Sequence, residues 1–163
     1  MNNLLGQHLG PYRILGQVGV GGMATVYKAY QPAMDRDVAI KVIASHFAED
    51  EMFLQRFRRE ARAVARLEHA HILPVYDSGE AEGRPYLVMR YLEAGTLKDR
   101  IAEGLLPLSE VNRIIGQVGS ALDYAHRMGV VHRDVKPSNV LVDAEGDAFL
   151  TDFGLAKMVE SSV

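Results

Sequence analysis

The strongest constraint on the fold is a change of hydrophobic period along the chain. Residues 12–18, 24–30 and 37–43 are short apolar segments that read as strands. A glycine cluster, Gly19-Val20-Gly21-Gly22, separates the first two, and a polar turn around Gln31 to Arg36 separates the second and third. Pro32 cannot belong to a central strand, which fixes that turn. The chain therefore opens as a β-meander. From about Asp50 to Glu68 the spacing becomes helical, with Phe53, Phe57, Ala61, Val64 and Leu67 recurring on one face and Glu60 falling on that same face. Strands are predicted again at 73–79 and 85–91, followed by a crossing at Glu93-Ala94-Gly95. Beyond it a short helix is expected at 97–103. A longer one starts at Ser109 as N-cap, presents Val111, Ile114, Ile115, Val118, Leu122 and Ala125 as its buried stripe, and ends at Gly129. Short strands close the pattern around 130–131, 140–142 and 149–151. The expected organisation is a leader at 1–11, a β-rich unit with one helix at 12–91, and a mainly helical unit at 92–163.

Composition excludes several classes of function. The 163 residues are 48% hydrophobic and 24% charged, enough for a buried core and too apolar for a disordered chain. With 18 Lys+Arg against 21 Asp+Glu, a net charge of -3 gives no basic excess to bind nucleic acid or an anionic membrane. The chain has no Cys, which excludes disulfides, a thiolate nucleophile and a Cys-based zinc site, and a reducing, cytoplasmic setting is expected. No stretch approaches the roughly 18 apolar residues that span a bilayer, and the first residues lack a secretory pattern.

Four motifs carry chemistry. Gly19-x-Gly21-x-x-Ala24-x-Val26 lies between two strands, where bare backbone could approach phosphates; alone it reads equally well as a glycine-rich hairpin. A dinucleotide fold would need a helix directly after the glycines, and a Walker A loop would need Gly-Lys-Ser/Thr; neither is present. Val38-Ala39-Ile40-Lys41 puts a lysine at the end of an apolar strand. Glu60 on an apolar helical stripe needs a cationic partner, either Lys41 or, locally, Arg56, Arg59 or Arg62. His132-Arg133-Asp134-Val135-Lys136-Pro137-Ser138-Asn139 sets an acid, a cation and a carboxamide at fixed spacing in a short loop. There a carboxylate can orient a hydroxyl and take its proton, a lysine can neutralise a phosphoryl group, and an asparagine oxygen can bind a metal. Asp152-Phe153-Gly154 adds a second carboxylate suited to Mg²⁺. The pair His69 and His71 lacks a third nearby ligand and is read as structural.

Taken together and in this order, the motifs resemble those of the protein kinases, specifically the bacterial Ser/Thr kinases with a eukaryotic-type catalytic domain, over about residues 12–159. The resemblance implies an α+β, two-lobed kinase-like fold with a complete β-rich N-lobe and a partial helical C-lobe. It implies ATP and Mg²⁺ as cofactors and protein Ser/Thr hydroxyls as acceptors. Lys41 would hold the α/β-phosphates and pair with Glu60; Asp134 would be the catalytic base and Lys136 the phosphate-neutralising cation; Asn139 and Asp152 would bind Mg²⁺. The residues expected around the nucleotide are Val18, Gly19, Val20, Gly21, Gly22, Met23, Ala24, Val26, Ala39, Met89 as gatekeeper, Arg90 to Leu92 as hinge, and Leu141. Val64, Val75, His132 and Phe153 occupy the positions of the family's internal spine.

Ala24 replaces the loop's third glycine, which is harmless if its φ stays negative. Arg90 stands where the family often has Glu, and Lys136 favours Ser/Thr over Tyr. The chain reaches Val163 before an Ala-Pro-Glu segment, so it reads as a fragment whose second lobe exposes apolar surface. A non-catalytic nucleotide- or partner-binding module is the alternative. A small-molecule phosphotransferase of related fold ranks third, since such enzymes typically lack the Arg133 and Lys136-Pro137 pattern.

Overall fold

A computed structural model describes residues 4–93 and 95–153, which fall into two units. Of the described residues, the first comprises 4–61 and 75–91, the second 62–74, 92–93 and 95–153.

The first unit is built on a six-stranded antiparallel sheet. Its strands are β1 (His8–Leu9), β2 (Tyr12–Val20), β3 (Ala24–Gln31), β4 (Arg36–Ile43), β5 (Val75–Ala81) and β6 (Arg84–Arg90), in spatial order β1-β2-β3-β4-β6-β5. The meander read from the sequence is present. The stretch read as a leader contributes β1, and Leu4 and Leu9 are buried in the core. Side chains alternate across a pleated sheet, so residues paired directly opposite one another share a face. Val38, Ile40 and Val42 of β4 join Tyr12, Ile14, Tyr27, Ala29, Tyr86 and Val88 in one apolar cluster. The register Val26↔Lys41, Lys41↔Leu87 and Ala39↔Met89 puts Val26, Ala39, Lys41 and Met89 together on the opposite face.

Helix α1 (Ser45–Ala48) leads to α2 (Glu51–Val64). Asp50 starts α2 by accepting hydrogen bonds at Oδ1 from the backbone N–H of Met52 (2.8 Å) and Phe53 (3.2 Å). The apolar stripe of Phe53, Phe57, Ala61, Val64 and Leu67 is buried as its spacing requires, although Leu67 lies past the helix end.

In the second unit β7 (Gly95–Thr96), β8 (Val140–Val142) and β9 (Ala148–Leu150) form a small antiparallel sheet. Helix α3 (Leu97–Glu103) begins with a capping box in which Thr96 Oγ1 accepts from the Asp99 N–H and Asp99 Oδ2 accepts from the Thr96 N–H. Helix α4 spans Leu108–Arg127. Its N-cap is Pro107, not Ser109, because a proline that needs no N–H partner takes the boundary and Ser109 falls within the first turn. Its end is a Schellman turn: Gly129, at φ 77°, donates to His126 O, and Val130 donates to Ala125 O. No strand forms at 130–131.

The stripe of α4 is narrower than expected. Ile114, Ala121 and Ala125 are buried, but Ile115 is 65% exposed and nearby Leu108 75% exposed. Helical periodicity identifies which residues are apolar, while the packed neighbours decide which of them are covered. No helix among the described residues is long and apolar enough to cross a membrane.

Gly79 on β5 makes room for Tyr86. A Cβ there would sit 2.5 Å from Tyr86 Oη and 2.6 Å from Cζ, on a ring that is itself buried. Gly79→Ala should therefore cost about 1–3 kcal/mol by overpacking. Gly16→Ala, with nothing within 4 Å of its Cβ, should stay within about 0.5 kcal/mol of the parent. Denaturant unfolding of both variants checks this, and equal midpoints would contradict the packing.

Candidate active site

The loop after α4 gathers the most chemistry. His132 is buried, at 1% exposure. Its Nε2 lies 2.7 Å from the carbonyl of Thr151, and its Nδ1 accepts from the Asp134 N–H at 3.2 Å. A carbonyl only accepts and a backbone N–H only donates, so Nε2 carries the hydrogen and Nδ1 is bare. The imidazole thus ties the residue before Asp152 to the backbone of Asp134. Its ring also packs against Phe153, with centroids 4.6 Å apart.

Asn139 makes the second tie. It is buried, and its Nδ2 donates to both the Asp134 carbonyl (2.8 Å) and Asp134 Oδ2 (3.0 Å). Its own carbonyl accepts from the Thr151 N–H at 3.0 Å, extending the β8–β9 register Val140↔Leu150 by one step. Asn139 and Asp152 are thereby held at the same end of the small sheet. Lys136 Nζ approaches Asp134 Oδ2 at 2.7 Å. Both side-chain bonds to the Asp134 carboxylate fall on Oδ2, which leaves Oδ1 available to another donor.

That environment holds the Asp134 carboxyl below the ordinary aspartate range. The hydrogen bond from Lys136 is the main cause, burial acts against it, and the Asn139 hydrogen bond and the Lys136 charge add to it. Arg133 (φ 67°) and Asp152 (φ 64°) both adopt left-handed backbone. This costs a side-chain-bearing residue about 1–2 kcal/mol, strain that the two tethers must hold.

The donor chemistry fits a hard cation. Asn139 spends its amide nitrogen on Asp134 and keeps its oxygen, and Asp152, two residues past the end of β9, carries a carboxylate. Among the described residues no three His, Cys, Asp or Glu form a self-sufficient metal cage. Two protein oxygens suit Mg²⁺, which completes its shell with water and phosphate. His69 and His71 spend their nitrogens otherwise: His69 Nδ1 accepts from the His71 N–H, His69 Nε2 meets Ser120 Oγ, and His71 Nδ1 donates to the Ala148 carbonyl.

In the first unit, the β2–β3 hairpin closes through Gly21 N–H to Ala24 O at 2.8 Å. Gly19, Gly21 and Gly22 are not in left-handed backbone, and a Cβ at Gly19 or Gly22 would meet nothing within 4 Å. Neither conformation nor packing within the chain demands glycine at those two positions. Ala24 also keeps out of the left-handed region, so it replaces glycine without strain. Val18 and Val20 are exposed, Met23 and Leu92 half-buried, Met89 buried and Arg90 exposed. Leu141, on β8 of the second unit, is half-buried. Lys41 and Glu60 are both half-buried. Gly154 lies outside the described residues.

Sequence reasoning missed the Thr151 carbonyl as the partner of His132 and Gln117 as a partner of the β8–β9 turn. A backbone acceptor and a lone polar residue on an amphipathic helix leave no motif.

The Asp134 environment has a measurable consequence. Because the native pKa is depressed, the group stabilises the fold above the unfolded value of about 3.9, and this contribution is lost as pH falls toward the lower native value. A ¹³C carboxyl titration should find Asp134 below the ordinary aspartate value of about 3.9. Lys136→Ala should move its midpoint upward, and an unmoved midpoint would contradict the assignment.

Comparison with known proteins identifies the family. The family model described as the protein kinase domain matches residues 12–163. Serine/threonine-protein kinase PrkC of Bacillus subtilis is 44% identical over 161 residues, covering 98% of this chain and 25% of that protein. Serine/threonine-protein kinase PknL of Mycobacterium tuberculosis is 45% identical over 152 residues, covering 93% of this chain and 38% of that protein. The chain thus spans a quarter to two-fifths of these relatives. The crystal structure of the Mycobacterium tuberculosis PknI kinase domain superposes with a TM-score of 0.83 at 36% identity, over 92% of this chain and 62% of that one. The chain belongs to the protein kinase family, with curated bacterial serine/threonine kinases among its relatives.

Proposed function

We propose that this chain carries the nucleotide-binding and catalytic-loop part of an ATP-dependent Ser/Thr protein kinase. The observation that carries the reading is the tethering of Asp134, Asn139 and the residue before Asp152 through one buried imidazole and one buried carboxamide. Membership of the family and the names of the relatives support it.

In this reading the acceptor Ser/Thr hydroxyl donates its hydrogen bond to Asp134 Oδ1, the oxygen that Lys136 and Asn139 leave open. The hydroxyl oxygen bonds to the γ-phosphorus as the bond to the β,γ-bridging oxygen breaks, ADP leaves, and the hydroxyl proton passes to Asp134. With its pKa depressed, Asp134 is a weak base; it chiefly aims the hydroxyl and takes the proton late. Lys136 holds Asp134 and offsets charge on the transferring group. Bound Mg²⁺ supplies charge neutralisation on the phosphates, and Asn139 Oδ1 and the Asp152 carboxylate are the residues that would hold it.

Lys41, on the same sheet face as Val26, Ala39 and Met89, takes the role of phosphate ligand, with Glu60 as its partner. The open space above Gly19 and Gly22 suits a phosphate-covering hairpin, since a side chain there would obstruct only something outside the chain. The exposed apolar Val18 and Val20 supply contact area for the base and ribose. With ATP as donor, the reading places the chemistry in the cytoplasm. The second reading, a binding module without catalysis, draws on the exposed apolar residues of α4.

The test is transfer of radiolabelled phosphate from ATP·Mg²⁺ to a generic Ser/Thr protein. Asp134→Asn should lower the rate by about 10²–10⁴-fold with ATP binding retained. Label on phosphoserine or phosphothreonine supports the proposal. Nucleotide binding without transfer by the parent chain selects the second reading.

A further inference from the structure

The short strand β9 leads directly into Thr151 and Asp152, and its first residue, Ala148, is fully buried. A buried residue must satisfy both its N–H and its C=O. Leu141↔Phe149 pairs β9 with β8 on one side, while the backbone groups of Ala148 and Leu150 meet partners elsewhere. Leu150 finds them in a neighbouring backbone segment: its N–H donates to His71 O at 2.8 Å and its carbonyl accepts from Leu73 N–H at 2.9 Å. On the side of Ala148 away from β8 no strand is present among the described residues, and two side chains do a strand's work. Gln117 Oε1, from α4, accepts the Ala148 N–H at 2.8 Å, and His71 Nδ1 donates to the Ala148 carbonyl at 2.9 Å.

Each side chain is itself held. Gln117 Nε2 donates to Asp147 Oδ1 at 2.7 Å, so the carboxamide spans two successive residues of the turn into β9. The His71 backbone N–H donates to His69 Nδ1, and His69 Nε2 meets Ser120 Oγ on α4, close in sequence to Gln117. The Tyr124 hydroxyl, also on α4, accepts from the Glu68 N–H at 3.2 Å. Both grips on Ala148 therefore refer back to one rigid helix.

We propose that Gln117 and His71 are positioning residues for Asp152, acting through the peptide groups of Ala148 to fix the strand that carries it. This rests on the reading of Asp152 as a Mg²⁺ ligand. Loosening Ala148 lets β9 shift while β8 and Asn139 stay, so the Asn139 and Asp152 oxygens lose their mutual spacing. Contacts made only to the adenine or ribose are unaffected.

The test has two readouts on the whole chain. Amide hydrogen exchange, followed residue by residue, should be at least about tenfold faster at Ala148 and Thr151 in Gln117→Ala and in His71→Ala than in the parent, and unchanged in β2 and β3. ATP affinity, measured with and without Mg²⁺, should fall about three- to tenfold in these variants only when Mg²⁺ is present. The double variant Gln117→Glu with Asp147→Asn rebuilds both hydrogen bonds with the donor and acceptor exchanged between the side chains, and should restore both readouts. Gln117→Glu alone sets two carboxylates face to face and should not. Unchanged exchange at Thr151, or failure of the double variant to restore the Mg²⁺-dependent affinity, overturns the proposal. Mg²⁺ dependence lost in Asp152→Asn but kept in Gln117→Ala and His71→Ala overturns it while leaving the ligand reading standing. A parent affinity indifferent to Mg²⁺ overturns the ligand reading of Asp152 and the proposal with it.

Discussion

A single buried imidazole sets the geometry of the second unit. His132 uses one nitrogen to hold the Thr151 carbonyl and the other to receive the Asp134 N–H, so two carboxylates from different segments are located by one rigid ring. Apolar packing could not substitute for it, because dispersion fixes distance without direction, whereas two opposed hydrogen bonds fix the ring's rotation as well. The left-handed backbone at Arg133 and Asp152 follows from this demand. The chain must turn sharply on either side of the ring, and the tethers hold that strain. Asn139 repeats the arrangement, bonding the Asp134 side chain with its amide and the Thr151 N–H with its backbone.

In the first unit the corresponding constraint is parity. One face of β4 supplies Val38, Ile40 and Val42 to the core, so the intervening Ala39 and Lys41 must lie on the other face. A slip of one residue would bury Lys41 among Tyr12, Ile14 and Val88, and the cost of an unpaired buried charge forbids it. The core thus specifies the face on which the candidate phosphate ligand stands, and the register of β3 and β6 brings Val26 and Met89 to the same face.

Much of this is legible from the amino-acid order, for reasons that differ by residue. The stripe of α2 is visible because Phe53 and Phe57 repeat at helical spacing and nothing polar interrupts their face before Glu60. The loop from His132 to Asn139 is visible because an acid, a lysine and an asparagine at fixed offsets have few other uses. Less legible is what depends on a partner distant in sequence. Ile115 reads as core by periodicity and is exposed, since burial is decided by the neighbouring element and not by the helix. Leu4 and Leu9 look like a mixed leader, yet the short strand β1 pairs with β2 and buries them. Ser109 is a good cap by residue type, but Pro107 sets the boundary two positions earlier. Gln117 is one polar residue on a helix, and only the fold reveals that it meets the peptide N–H of Ala148 on the side of β9 away from β8.

Everything at the candidate site depends on His132 bridging the segments of Asp134 and Asp152 through one defined tautomer. The most direct test is the ¹⁵N chemical shifts and one-bond couplings of the His132 ring at neutral pH. The expected result is a hydrogen on Nε2, slow to exchange with water, and a bare Nδ1 with the shift of a hydrogen-bond acceptor. A reversed pair, or two nitrogens averaging between tautomers, would contradict it.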